Sequence, residues 1–213
     1  MSGRKPGDPV KVEDLLREEY FDLLPEIRRV VWQVEAEIRC QTLPILQALK
    51  PYEQLTVKSR VKDCESAVKA LRRRQEGGTF DAGKSKIYSL LDLPDLAGVR
   101  VLAFPRSRVI EADNALQSIF QDWISDPIPD GQDGVLAPKY SGRRLDVSSR
   151  VRAEYQVVPM LIGLFWEVEH SAIYKPAPAL KGRAESDPMK ELNKEVVAAL
   201  SRFEAEYEAF VRD

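Results

Sequence analysis

The 213-residue sequence holds a single histidine, His170, and only two cysteines, Cys40 and Cys64. One histidine excludes any mechanism that needs two, and with it the histidine-rich metal clusters of many hydrolases. The cysteines lack C-x-x-C spacing, which excludes a zinc ribbon and a disulfide framework; both are expected as reduced, packed thiols. Long apolar runs are missing as well. The longest, Met160 to Trp166, falls far short of the roughly 20 residues of a membrane span. The polar start MSGRKPGDP has no apolar stretch of the secretory type, so the expected location is the cytoplasm, with no membrane contact. Neither charge is in excess: 32 Lys and Arg face 34 Asp and Glu, a net charge of -2, and the total makes no case for nonspecific nucleic-acid binding.

What is present is 44% hydrophobic residues, enough for a substantial core. Val12 to Leu23 and Pro25 to Leu49 read as two helices, with Ile27, Val30, Val31, Val34 and Ile38 at helical spacing and Pro44 kinking or shortening the second. Gln54 to Val61 alternates as a strand, Asp63 to Arg74 reads as a helix, and Gly77-Gly78 ends it. The β-branched run GVRVLAF (98–104) is a buried strand; Pro105 stops it and Ser107 is placed to cap the helix that follows. Trp123 to Lys139 reads as a loop with one short edge strand, Arg143 to Ser149 and Val151 to Val158 as two strands. Pro159 opens an apolar helix to about Tyr174, expected between layers. After the connector KPAPALKG, Asp187-Pro188 starts a helix with Met189, Leu192, Val196, Leu200, Phe203, Tyr207 and Phe210 along one stripe, which needs either the core or a partner helix.

Gly78 to Ser85, GTFDAGKS, fits the phosphate-binding pattern G-x-x-x-x-G-K-[ST]. A working loop of that kind needs a buried strand entering and a helix leaving, so that backbone N–H groups and the helix N-terminus hold the phosphates. A charged helical end, VKALRRRQEG, enters instead, and only KIYSLL leaves before Pro94. The flanks argue against a P-loop, although Lys84 and Lys86 remain able to touch an anion.

More promising is the basic stretch SRVKDCESAVKALRRR. Arg60 and Lys62 lie two apart at a strand end and share a face, and Ser66, Lys69 and Arg73 follow along one side of the next helix. Together they can line a polyphosphate, or else form a solvated face. Asp95, before the strongest strand, and Glu154, on another, can converge at one end of a sheet to hold Mg²⁺, with Asp92 a competitor for Asp95. His170, in an apolar helix, fits a hydrogen-bonded core residue better than a catalytic base.

Taken in order, SRVKDCESAVKALRRR, DLAGVRV, EYQ and FWEVEHSAIYK resemble the synthetase domain of RelA/SpoT proteins, in particular the small alarmone synthetases, from about Gln54 to Lys175. The resemblance implies an α+β fold, a nucleotidyltransferase-like mixed sheet of about five strands flanked by helices, with helical extensions at both ends. It divides the chain into a disordered start (1–9), N-terminal helices (10–53), the synthetase-like domain (54–176), and a linker with a C-terminal amphipathic helix (177–213). The implied activity moves the β,γ-pyrophosphate of ATP to the ribose 3′-hydroxyl of a guanine nucleotide, giving (p)ppGpp. Arg60, Lys62, Ser66, Lys69 and Arg73 would bind ATP, and Asp95 and Glu154 would hold Mg²⁺, with Glu154 helping to take the hydroxyl proton. Tyr140 would stack on the acceptor base, with Arg143, Arg100 and Gln156 on the acceptor side, the last two supporting the phosphates and the acidic pair.

The chain departs from that pattern in three places. Ala70 stands where the family has a lysine four residues after the serine, KYSGRRL (139–145) lacks the family's histidine, and Val157, Val158 and Pro159 follow Glu-x-Gln in place of an Arg-Thr pair. A changed acceptor, as in toxin-type relatives that modify adenine nucleotides or the tRNA 3′ end, is therefore an alternative, as is a nucleotide-binding domain without catalysis. Partners on these readings are the nucleotides, a second copy through the C-terminal helix, or an antitoxin protein or tRNA.

Overall fold

A computed structural model describes residues 11–81, 83, 87–130, 134–148, 150–169 and 187–211. Where the periodicity suggests two N-terminal helices there is one, α1 (Val12–Gln47), with Pro25 and Pro44 inside it. Both prolines lie on the exposed side, where water can take the carbonyls that lose a partner. Leu16, Tyr20, Leu23, Ile27, Val30, Val34 and Ile38 form an unbroken buried line past Pro25. At roughly 1.5–3 kcal/mol for each buried side chain, that line outweighs the ~3 kcal/mol cost of a helical proline.

β1 (Gln54–Val61) and α2 (Cys64–Arg73) follow the sequence reading closely. The Asp63 carboxylate caps α2 by accepting the Ser66 N–H at 2.9 Å. Gly77 and Gly78 then take φ of +68° and +66°, left-handed angles that glycine tolerates best. β2 (Ala97–Phe104) leads into α3 (Arg106–Gln117), whose N-cap position is Pro105. Ser107 is thus not the cap: it lies inside the first turn, and its N–H donates to Glu208 at 2.8 Å.

Beyond α3 come short strands β3 (Ile124–Ser125), β4 (Ile128–Pro129) and β5 (Val135–Ala137), then β6 (Lys139–Gly142) and β7 (Ala153–Pro159). The strand expected over 143–149 is instead 139–142. Side chains pin the later segment to α1 in place of a ladder: Arg144 pairs with Glu37 at 2.8 Å, Ser148 bonds Glu26, and Arg29 donates to the Val147 carbonyl at 3.1 Å. Pro159 is the last residue of β7, not the first of a helix; α4 (Met160–Glu169) starts after it, and α5 (Asp187–Phe210) is the last helix described.

The main sheet is mixed and five-stranded, in the order β1-β2-β7-β6-β3, with β2 and β7 parallel and the other neighbours antiparallel. β4 and β5 pair separately. The expected α+β arrangement is the one observed. Val99, Val101 and Ala103 of β2, with Ala153, Tyr155 and Val157 of β7, belong to the main core, which also takes in the buried sides of α1 and α3. On the other face, Leu102 and Val158 pack with Ala137 and Met160 at one end. α4 approaches closely there because Gly163 has no side chain: a Cβ would stand 2.3 Å from Leu102. The helix covers one face and leaves Leu164 and Val168 exposed, so it is not buried all round. α5 is anchored by Tyr207, whose ring lies 5.3 Å from that of Phe104, and by Asn193, which donates to Glu169 at 2.9 Å. Its apolar stripe is only partly covered, with Leu192, Phe203 and Phe210 exposed.

Candidate functional site

Strand register builds the site. Arg60 of β1 is the cross-strand partner of Gly98, and Gly98 of Glu154, so these three stand in one row across the sheet. The next row is Lys58, Arg100 and Gln156, with Lys139 beyond it. Because alternate residues share a face, all these side chains lie on the α4 side, at the end that α4 does not fill. All of them except Lys139 line a cavity of about 530 Å³, together with Ser59, Val99, Ile128, Trp166, Glu167 and Glu169. Gly98 is its floor, since a Cβ there would stand 3.3 Å from both Cγ and Nε of Arg60.

Hydrogen bonds order the inner wall. Arg100 Nε donates to Gln156 Oε1 at 3.1 Å, and Gln156 Nε2 donates to Glu154 Oε1 at 2.7 Å. Burial raises the Glu154 pKa above the ordinary carboxylate value, and the nearby Asp95 charge raises it further against the bond from Gln156. Burial lowers the Arg100 pKa, Arg60 adds to the lowering, and Glu167 and Glu154 oppose it. The Arg100 guanidinium also lies 5.9 Å from the Trp166 ring centre. At the end of the sheet where β1 leaves and β2 begins, Lys62 donates its N–H to Leu96 O at 3.0 Å and its ammonium pairs with Asp95 Oδ2. Asp95 Oδ1 is buried without a hydrogen-bond partner.

The structure therefore brings together Arg60, Arg100, Glu154 and Gln156, with Lys62 and Asp95 beside them. Ser66, Lys69 and Arg73 share one side of α2, opposite the buried Ala67, Val68 and Leu71, and do not line the cavity. Ala70, at the position of the absent lysine, packs against the core. Tyr140 does not join Glu154. It points to the other face, its ring stacked on Tyr155 at 4.9 Å and 22° and its hydroxyl accepting from Gln117 at 2.8 Å. The reason is parity: Tyr140 pairs with the fully buried Tyr155, whereas its neighbour Ser141 pairs with Glu154. Arg143 is exposed after β6, with Nε donating to Arg150 O at 3.4 Å. Val157 and Val158, which replace the expected Arg-Thr pair, are both fully buried, one on each face. Asp92 is exposed in a short 3₁₀ turn. His170, Lys84, Ser85 and Lys86 lie outside the described residues. Among the described residues no strand enters the GTFDAGKS loop at Gly78.

Sequence reasoning overlooked Lys58, Trp166, Glu167 and Glu169. Lys58 was within reach, being two residues before Arg60 on the same strand and so on the same face. The α4 residues carried no such signal, because their place depends on how that helix crosses the sheet.

Solved structures share this architecture. Small alarmone synthetase 1 from Bacillus subtilis superposes with a TM-score of 0.63 at 16% identity, over 92% of this chain and 98% of that one. The chain has the small alarmone synthetase fold. The same Bacillus protein bound to its product pppGpp gives a TM-score of 0.63 at 16% identity over 92% of this chain and all of that one, and its AMPCPP-bound form 0.61 at 16% over 91% and 98%. A GTP pyrophosphokinase family protein from Streptococcus pneumoniae matches at 0.59 with 21% identity, over 91% of this chain and 94% of that one. No protein-family model and no curated protein matches the sequence.

Proposed function

We propose that the protein transfers the β,γ-pyrophosphate of ATP to the ribose 3′-hydroxyl of a guanine nucleotide, releasing AMP and forming (p)ppGpp. The observation that carries this reading is the row Arg60, Gly98, Glu154 with Asp95 beside it: a guanidinium and two carboxylates at one sheet end, in a fold shared with a protein solved both with AMPCPP and with pppGpp. Arg60, Lys62 and Arg100 bind and orient the polyphosphate, Arg through forked donors and Lys as a point charge. Ser66, Lys69 and Arg73 extend the same basic surface along α2 toward ATP. Glu154 takes the proton of the 3′-hydroxyl as its oxygen bonds to the β-phosphorus and the bond from that phosphorus to the α-phosphate bridging oxygen breaks. Burial, the larger cause of the raised Glu154 pKa, suits that role, since it gives the carboxylate more basicity. Gln156 keeps the Glu154 carboxylate aimed, and Arg100 keeps Gln156 aimed.

Asp95 and Glu154 fit Mg²⁺. Both are oxygen donors, Asp95 Oδ1 is buried and unpartnered, and the mutual repulsion seen in the Glu154 pKa is relieved by a cation. Among the described residues no third Asp, Glu, His or Cys joins them. When bound, the ion supplies neutralisation of the charge that develops on the phosphate oxygens.

A second reading, transfer to another acceptor such as an adenine nucleotide or the tRNA 3′ end, is favoured by Tyr140, which faces away from the cavity and leaves no tyrosine stack for a base there. One assay separates the two. Purified protein with Mg²⁺ and ATP labelled at the β and γ phosphates is offered GMP, GDP, GTP, ATP and deacylated tRNA in turn. Label on the 3′-oxygen of a guanine nucleotide is the expected result; label only on the 3′-oxygen of ATP or of the tRNA end supports the second reading, and label on no 3′-oxygen removes both.

A further inference from the structure

Lys58 and Arg100 are direct cross-strand neighbours on the cavity face, and Arg60 stands one row away. Like charges facing each other across strands repel, and Arg60 is the largest charge acting against the protonated form of Arg100 after burial. An anion placed beside such a pair of cations relieves the repulsion. Glu167 of α4 supplies it: Lys58 Nζ donates to both of its carboxylate oxygens, each at 2.9 Å, and its charge also favours protonated Arg100. All three residues line the 530 Å³ cavity.

The pair is poorly built as a structural brace. Lys58 and Glu167 are 44% and 40% exposed, a setting in which ion pairs add little net stability and are easily exchanged. The cavity as a whole has three cations, Lys58, Arg60 and Arg100, against three carboxylates, Glu154, Glu167 and Glu169. Glu154 and Glu169 are both engaged elsewhere, with Gln156 and Asn193. Glu167 is the one of the three that bonds Lys58, and its charge favours protonated Arg100 more than that of Glu154 does.

We propose that Lys58 and Arg100 form an anion seat for a phosphate group of the substrate, and that the Glu167 carboxylate occupies this seat until the phosphate displaces it. This rests on the polyphosphate reading of the cavity given above and adds residues and a competition to it. Glu167 then sets the threshold for binding. A single small anion has little advantage over a tethered carboxylate, whereas a polyphosphate that also reaches Arg60 does. Glu167→Gln should strengthen binding, the opposite of what loss of a structural ion pair would do.

The test is isothermal titration of the 213-residue chain with inorganic tripolyphosphate and with a non-hydrolysable ATP analogue, at two salt concentrations. Glu167→Gln is expected to bind both at least threefold more tightly than wild type, with a steeper loss of affinity at higher salt, and Lys58→Met at least threefold more weakly. In the Lys58→Met background the gain from Glu167→Gln should shrink. Thermal unfolding of each variant checks that the fold is retained, and Lys58→Gln serves as a second, polar replacement. If wild type binds and Glu167→Gln binds equally or more weakly, the seat is refuted while the proposed activity stands. If wild type binds neither ligand, the polyphosphate reading itself is overturned and the seat with it.

Discussion

The two faces of the central sheet are made from the same strands and serve opposite ends. Along β7, Ala153, Tyr155 and Val157 turn toward α1 and α3, where Tyr155 packs against Phe120, Trp123 and Tyr140 with ring centres 4.9–5.6 Å apart. One residue out of step, Glu154 and Gln156 turn the other way into a cavity lined by Lys58, Arg60 and Arg100. The first face lowers the free energy of the fold through apolar area and ring contacts; the second raises it, because Glu154 and Arg100 both resist their charged forms there. A strand with period two can carry both without compromise, and the unfavourable face is tolerated where binding needs preorganised charge.

The contrast breaks hardest at Glu154. Under the proposed activity, Glu154→Gln and Asp95→Asn should each lower the transfer rate by about a thousandfold or more, as loss of a charge that acts in the transition state does. For Glu154→Gln the stability should move the other way. Its raised pKa contributes stability that is complete below the ordinary value of 4.5 and is lost as pH rises through the folded value, so the variant should melt higher than wild type near neutral pH and no higher at pH 4. Thermal scans across pH, set beside single-turnover rates, check both.

On the apolar face, Tyr155→Ala should cost about 3–5 kcal/mol in denaturant unfolding. Tyr155→Phe should instead be neutral or gain up to ~1 kcal/mol, because the hydroxyl is buried without a partner.

A smaller effect lies in α5, where Glu204 is 2% exposed on a helix otherwise held by Tyr207 and Glu208. Burial pushes its carboxyl up to about 7, with Arg106 opposing and Glu208 adding. The associated stability is full below 4.5 and is lost as pH passes about 7. Glu204→Gln should accordingly stabilise by about 2 kcal/mol at pH 8 and by almost nothing at pH 4, read from unfolding curves.

Smallest is Gly98→Ala, whose methyl group would press on the Arg60 side chain at 3.3 Å. The KM for ATP should rise by about three- to tenfold with the melting temperature little changed, a split that steady-state kinetics resolves.

Local features were legible in the sequence because neighbouring residues decide them. β1 and α2 lie where their residues signal them, although α2 ends at Arg73 and the Gly77-Gly78 pair expected to end it forms a separate 3₁₀ turn after it. Pro25 misled, since the local rule that a proline suits the first turn of a new helix lost to a buried stripe running along both sides of it. The segment 143–149 misled for a related reason: it alternates like a strand, but Arg144 and Ser148 bond to α1 and draw it off the sheet.

At the site, alternation alone determined that Arg60 belongs with Lys58, and Glu154 with Gln156. It could not say which face of the sheet those residues take, nor which strands become neighbours. Pairing register decided both, and in doing so sent Tyr140 to Tyr155 and placed Gly98 between Arg60 and Glu154. The physical reason is that side-chain parity is a property of one strand, whereas convergence of charges from four segments depends on contacts between residues far apart in the chain. Lys58 was already beside Arg60 in the sequence; only the packing of α4 across the sheet brought Glu167 to it.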